Sequence, residues 1–232
     1  MKEAIVLAGG LGTRLRSVVA DLPKCMAPVA GKPFISYVID YFRLHGTTSF
    51  ILSLGYRHEA IQSYITDQYP HMDIRYSIEN EPLGTGGAIR LACKQAKESS
   101  LLVLNGDTFF RVDPRELAVF HGQQQAHCSL ALKPMKNFDR YGVVVLNADQ
   151  SIQSFQEKKY YDEGLINGGV YALQTDAFLS EDLPEKFSFE KDYLEKCYAT
   201  RPIFGLVQTG YFIDIGVPED YQRAQSELPK NI

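Results

Sequence analysis

At 232 residues, 45% of them apolar, and with a formal charge of −4, the chain can bury one sizeable core, as a single α/β domain or two small ones. It carries no run of Lys and Arg of the kind a nucleic-acid surface needs, and no apolar run approaches the roughly 18 residues of a membrane span. The four cysteines, at 25, 93, 128 and 197, lack a Cys-x-x-Cys pair and read as reduced, packed thiols; with no signal-peptide pattern ahead of the first strand, a cytoplasmic protein is expected.

The chain opens with an apolar run, Ala4-Ile5-Val6-Leu7, which predicts a short buried strand of a parallel sheet. Leu7-Ala8-Gly9-Gly10-Leu11-Gly12-Thr13-Arg14 overlaps and follows it. Glycines there let main chain come close to a ligand, and successive N–H groups can then cradle anionic oxygens. Thr13, Arg14 and, beyond a spacer, Lys24 add a hydroxyl and two cations, and Pro23 and Pro28 stiffen the chain around the lysine. A nucleoside triphosphate cradle is expected. It is not a Walker A loop, because no Lys-Ser/Thr follows the glycines, nor a dinucleotide fingerprint, whose third glycine would fall on Leu15.

Helical apolar spacing over residues 34–42 ends at Gly46. Then come a strand over 49–54, a helix over 60–69 stopped by Pro70, a strand over 73–78, a helix over 86–97 and a strand over 101–104. This alternation with short connections predicts an α/β fold, a Rossmann-like, mostly parallel central sheet with helices on both faces. Ligands of such sheets sit at the carboxyl ends of strands. The first loop, the loop over 79–85 and Asp107 all lie at such ends and should converge.

From Ser129 the texture changes. Short extended runs over 129–132, 142–146, 152–155 and 169–173 predict strands that extend the sheet and cup a second substrate, with a tyrosine-rich turn over 159–164 beside them. Residues 187–193 read as a helix entry capped by Ser188, and a helix spans 218–228. No flexible linker, repeat or low-complexity stretch divides the chain. One continuous domain is expected, with a nucleotide-binding part over about 1–125, a second-substrate part over about 126–216 and a terminal helix over 217–228.

Asp107 leaves its strand through an Asn105-Gly106 turn, which exposes the carboxylate, and Asp214 interrupts an apolar run. An acid in an apolar run is costly unless paired or bound to metal. Mg²⁺ takes one or two carboxylates together with phosphate oxygens and water, so both fit a triphosphate site. The loop over 79–88 joins a strand to a helix, and its glycines again permit close approach of main chain to a flat ligand; by itself it suits any base. The histidines show no metal-ligand spacing, and no Gly-x-Ser-x-Gly elbow marks a nucleophile.

Gly9-Gly10-Leu11-Gly12-Thr13-Arg14-Leu15 with Pro23-Lys24, Leu83-Gly84-Thr85-Gly86-Gly87-Ala88, Asn105-Gly106-Asp107, Glu157-Lys158, Asn167-Gly168-Gly169 and Asp214-Ile215-Gly216 resemble, in the same order, the motifs of the sugar-1-phosphate nucleotidylyltransferases. The resemblance implies the GT-A-like fold of nucleotide-diphospho-sugar transferases, an NTP and a sugar 1-phosphate as substrates, and Mg²⁺ on Asp107 and Asp214. It implies nucleotide contacts from Leu7, Ala8, Gly9, Gly10, Gly12, Thr13, Arg14, Glu79, Pro82, Gly84 and Thr85. Sugar-phosphate contacts fall on Gly106, Tyr141, Gly142, Glu157, Lys158, Asn167, Gly168 and Tyr171, and the implied catalytic residues are Arg14, Lys24, Asp107 and Lys158. The wording of the 81–87 loop resembles the GTP-using members, and the runs over 157–161 and 166–171 resemble the heptose 1-phosphate branch. Mannose 1-phosphate with GTP, N-acetylmuramate or glucose 1-phosphate with UTP or dTTP, and a non-catalytic sugar-nucleotide-binding regulator are the alternatives. Oligomeric state stays open.

Overall fold

The structure is a computed structural model and describes residues 1–10, 22–55 and 57–232. The opening apolar run forms β1 (Glu3–Leu7), with Ala4, Ile5 and Val6 fully buried. A ribbon of β2 (Pro28–Val29) and β3 (Lys32–Pro33) leads into α1 (Phe34–Leu44). Then β4 (Ser49–Leu54), α2 (His58–Gln68), β5 (Asp73–Ile78), α3 (Gly84–Cys93) and β6 (Ser100–Asn105) alternate in the expected way.

Next come β7 (Thr108–Phe110), α4 (Pro114–Gln123), β8 (Cys128–Phe138), β9 (Val143–Leu146), β10 (Ile152–Gln156), β11 (Tyr161–Gln174) and the short α5 (Thr175–Leu179). A π-helical turn over Phe189–Leu194 runs into α6 (Glu195–Cys197), then β12 (Ile203–Val207), β13 (Phe212–Asp214) and α7 (Pro218–Glu227). Among the described residues, no helix is long and apolar enough to cross a membrane.

Seven strands form the main sheet in the order β12-β8-β11-β6-β1-β4-β5. At its centre Ile5 of β1 lies opposite Ile51 of β4 and Val103 of β6, all parallel. Among the described residues only β11 runs against the rest, pairing antiparallel with β6 and β8. Such apolar central strands must be covered on both faces. On one face α1 contributes Phe34, Ile35, Val38, Ile39 and Phe42; on the other lie Ile89, Phe178, Phe187, Phe189 and Tyr193. Each such side chain contributes about 1.5–3 kcal/mol by leaving water, so Phe34→Ala would cost about 3–5 kcal/mol.

Several elements differ from the sequence reading: β8 runs on to Phe138 rather than ending at 132, and α4 and β12 have no counterpart in it. Residues 161–164, read as turn, are strand, because Tyr161 pairs with Phe138 and stacks its ring on it at 5.7 Å. Helix α3 starts at Gly84 and ends at Cys93 rather than running from 86 to 97. Past Cys93 the chain tightens into turns, with Gln95 N–H donating to Ala92 O at 2.9 Å and Ala96 N–H to Cys93 O at 3.0 Å, and the buried carboxylate of Glu3 then accepts the N–H groups of Lys97 and Glu98 at 2.9 and 3.1 Å. Ser188 is a cap, accepting from the Lys191 N–H at 3.2 Å, but of a π-helical turn rather than an α-helix.

Candidate active site

Backbone hydrogen bonds draw the strand ends together. Ala8 N–H donates to the Ser53 carbonyl and Glu79 N–H to that of Leu54, both at 2.8 Å, and Gly106 N–H donates to Leu7 at 2.9 Å. A Cβ on Gly106 would sit 2.5 Å from the Leu7 oxygen, so this crossing requires glycine. The result is a cleft of about 310 Å³ lined by Leu7, Ala8, Gly9, Gly10, Lys24, Cys25, Ser53, Glu79, Pro82, Gly84, Thr85, Ala88, Asn105, Gly106 and Asp107. Gly12, Thr13 and Arg14 lie outside the described residues.

Charge is concentrated at one edge. Pro23 leads into a tight 3₁₀ turn over Lys24–Met26, and the Lys24 ammonium donates to Asp107 Oδ2 at 2.5 Å and to Asp214 Oδ1 at 3.5 Å. The two acids meet because β13 pairs antiparallel with β7, setting Asp214 opposite Thr108. Asp214 Oδ1 also accepts from the Gly216 N–H at 2.7 Å. Burial raises the Asp214 carboxyl above its ordinary range, Lys24 opposes the shift, and the neighbouring Asp107 adds to it. Two carboxylates sharing one cation suit a hard divalent ion completed by phosphate oxygens and water. Among the described residues no group of three or more His, Cys, Asp or Glu is gathered for a metal, so a protein-only cage is not offered. Cys25, beside this centre, is no nucleophile: burial and then Asp107 push its thiol up to about 12.

The 79–85 loop is shaped by its own acid. Glu79 Oε2 accepts from the Leu83 N–H at 2.8 Å, while Oε1 is 3.2 Å from where a Cβ of Gly9 would stand. Gly84 has φ +72, and a Cβ there would meet the Phe187 carbonyl at 2.6 Å. That contact belongs to an anchor missed in the sequence. Phe187 N–H donates to Leu83 O and Gly86 N–H to Phe187 O, each at 3.0 Å, and Phe189 N–H donates to Thr85 Oγ1 at 2.9 Å.

The second group of candidates is spread more widely. Asn167 Nδ2 donates to the Tyr171 hydroxyl at 2.9 Å within an irregular stretch of β11. Gly168 packs flat on Phe110, where a Cβ would be 2.3 Å from the ring. Tyr141 stands near Asp214, its phenol raised by burial and then by that charge. With Arg140, Phe212, Asp214, Asp220 and Arg223 it lines a further cavity of about 320 Å³. Gly142 lies against the Gln156 carbonyl, 2.6 Å from a notional Cβ. Glu157 and Lys158, just past β10, are exposed and outside the lining of the first cleft.

A mostly parallel sheet whose strand ends carry a glycine-lined cleft beside paired acids is the build of a nucleotidyl-transferring protein, and the chain belongs to the nucleotidyl transferase family, whose model matches residues 3–231. It is 50% identical over 226 residues, 97% of this chain and 98% of the relative, to the D-glycero-α-D-manno-heptose 1-phosphate guanylyltransferase of Aneurinibacillus thermoaerophilus. To the protein of the same name from Campylobacter jejuni it is 46% identical, over 94% of this chain and 96% of the other. Among solved structures, HddC from Yersinia pseudotuberculosis superposes with a TM-score of 0.88 at 37% identity, covering 98% of this chain and 99% of that one; HddC has also been solved with GMP-PN.

Proposed function

We propose that the protein transfers the guanylyl group of GTP to D-glycero-α-D-manno-heptose 1-phosphate, releasing pyrophosphate. The carrying observation is the Lys24 ammonium held between Asp107 and Asp214 at the edge of the glycine-lined cleft. The activity of the two relatives, matched over nearly their whole length, supports the choice of base and sugar.

An oxygen of the sugar phosphate attacks the α-phosphorus of GTP, and the bond from that phosphorus to the bridging oxygen of pyrophosphate breaks. A phosphate monoester has its second pKa near ~6, so the nucleophile is already anionic at neutral pH and needs no general base. The protein's task is to align two anions and neutralise their repulsion. In this reading the amides of Gly9 and Gly10, with Gly12, Thr13 and Arg14, hold the triphosphate, and Lys24 and Lys158 neutralise the approaching phosphates. Leu7, Ala8, Pro82, Gly84 and Thr85 frame the nucleoside, and Glu79 accepts from guanine. Glu157 and Asn167 take sugar hydroxyls, with Gly106, Tyr141, Gly142, Gly168 and Tyr171 shaping that side. Asp107 and Asp214 are the residues that would hold Mg²⁺, which supplies charge neutralisation on the phosphoryl oxygens when bound. One domain divided into a nucleotide half and a sugar half, acting in the cytoplasm, fits this chemistry.

Pyrophosphate release over a grid of four nucleoside triphosphates against heptose, mannose, glucose and N-acetylmuramate 1-phosphates tests the proposal. Turnover confined to GTP with the heptose is expected. Turnover with UTP or dTTP would overturn the guanine assignment, turnover with mannose the sugar, and nucleotide binding without turnover would favour the regulator.

A further inference from the structure

The run over 187–193, an aromatic and charged segment with no role in the chemistry above, touches both halves of the site. On the nucleotide side it is bonded to the loop three times: Phe187 N–H to Leu83 O, Gly86 N–H to Phe187 O, and Phe189 N–H to Thr85 Oγ1. Glycines make this approach possible, since a Cβ on Gly86 would fall 2.1 Å from the Phe187 ring. The Arg90 guanidinium lies over that ring, 4.6 Å from its centroid, and donates to Leu183 O at 3.0 Å. On the sugar side, the buried Phe189 meets Tyr171 edge to face, ring centroids 5.1 Å apart, and the Tyr171 hydroxyl accepts from Asn167.

The segment itself is fixed. Ser188 N–H donates to Asp192 Oδ2 at 2.8 Å while Ser188 Oγ accepts from Lys191 N–H at 3.2 Å, pinning the first turn of the π-helix in both directions. Local π-helical geometry is uncommon and concentrates at functional sites. Phe187 precedes that turn, and Ser188 between them is extended, so Phe187 and Phe189, two positions apart, fall on the same side and both are buried.

We infer that Phe189 and Thr85 are positioning residues, and that residues 187–189 form the shared template which sets the nucleotide loop and the Asn167–Tyr171 pair at one separation, so that an occupied nucleotide site tightens the sugar 1-phosphate site. The inference rests on the functional reading above. A shift of the loop at Thr85 is passed to Phe189 through one hydrogen bond, and from Phe189 to Tyr171 through a packed ring pair. Neither contact needs a side chain of the segment to touch a substrate.

The test uses full-length protein and α,β-methylene GTP, whose α–β bridge cannot be cleaved. Calorimetric binding of heptose 1-phosphate should be about tenfold tighter with this analogue than without it. With the analogue at a concentration shown by titration to saturate each variant, Thr85→Val, which keeps the shape but removes the acceptor for Phe189 N–H, should abolish that enhancement; Thr85→Ser, which restores a hydroxyl, should recover it. In turnover, Thr85→Val should raise the KM for the sugar phosphate, and Phe189→Leu in the same chain should add nothing further, because both act through one link. Full enhancement in Thr85→Val, or none in the unmodified protein, would overturn the inference. Should Phe189→Leu fail to fold, the binding measurements on the unmodified protein and the two Thr85 variants decide alone. An unmodified protein with no turnover on GTP and the heptose would instead defeat the functional reading.

Discussion

The Lys24 ammonium lies 2.5 Å from Asp107, a pair separated by 83 positions in the chain, and it reaches Asp214 at 3.5 Å. The lysine therefore both gathers the two acids and competes for them. Lys24→Met should lower kcat by about 10²–10³, the cost of losing one preorganised charge aimed at the transferring group. The same variant, without nucleotide, should bind Mn²⁺ more tightly than the unmodified protein when titrated by electron paramagnetic resonance. Near-normal turnover or weaker Mn²⁺ binding would count against the assignment.

Gly216 controls the geometry of that cluster. A Cβ at this position would stand 2.9 Å from Asp214 Oδ1 and 3.0 Å from Lys24 Nζ. Gly216→Ala should fold normally, because only side-chain ends must move, yet lose activity by about 10- to 100-fold through misplacement of the pair. Steady-state kinetics beside a circular dichroism spectrum will separate the two effects.

Glu79 has one oxygen on the Leu83 N–H and the other turned toward Gly9. Glu79→Gln keeps an acceptor for Leu83 but removes the charge. A hydrogen bond to a charged group is worth about 1.5–3 kcal/mol, so the preference for GTP over UTP in kcat/KM should fall by about 10- to 100-fold. An unchanged ratio would move guanine recognition elsewhere in the loop.

Away from the cleft, buried His121 shares a hydrogen bond with Ser129 Oγ at 3.0 Å. Burial, and then His127, lower its pKa to about 4 from the ordinary 6.5. The unfolded chain therefore binds more protons between those values, and stability falls as pH drops through that window. The loss contributed is on the order of 3 kcal/mol. Urea midpoints across that pH range should decline in the unmodified protein and decline less in His121→Gln.

Much of this was legible in the chain. The strands over 49–54 and 73–78 have the bounds read from apolar runs and turn residues, and the carboxyl-end rule brought Gly9 and Gly10 of the first loop, residues of the 79–85 loop and Asp107 to one cleft. Asp214 stood out because an acid in an apolar run must find a partner. The partner itself was not legible, since nothing local ties residue 24 to residues 107 and 214. The anchoring of Thr85 by Phe189 was hidden for the same reason: it joins a hydroxyl to a backbone N–H 104 positions away. Strand β11 was cut short in the reading because Asp162, Glu163 and Gly164 are poor strand formers. Pairing with β8 outweighs that preference, and Gly164 fits where a Cβ would meet Val143 at 2.7 Å.

The most direct test of the central claim follows the phosphorus atoms. GTP radiolabelled at the α-phosphorus and GTP labelled at the γ-phosphorus are incubated separately with heptose 1-phosphate, Mg²⁺ and the protein. The account predicts that the α label moves into a GDP-sugar and the γ label into pyrophosphate. The γ label appearing on the sugar, or as orthophosphate, would mean that a different bond is broken and would contradict it.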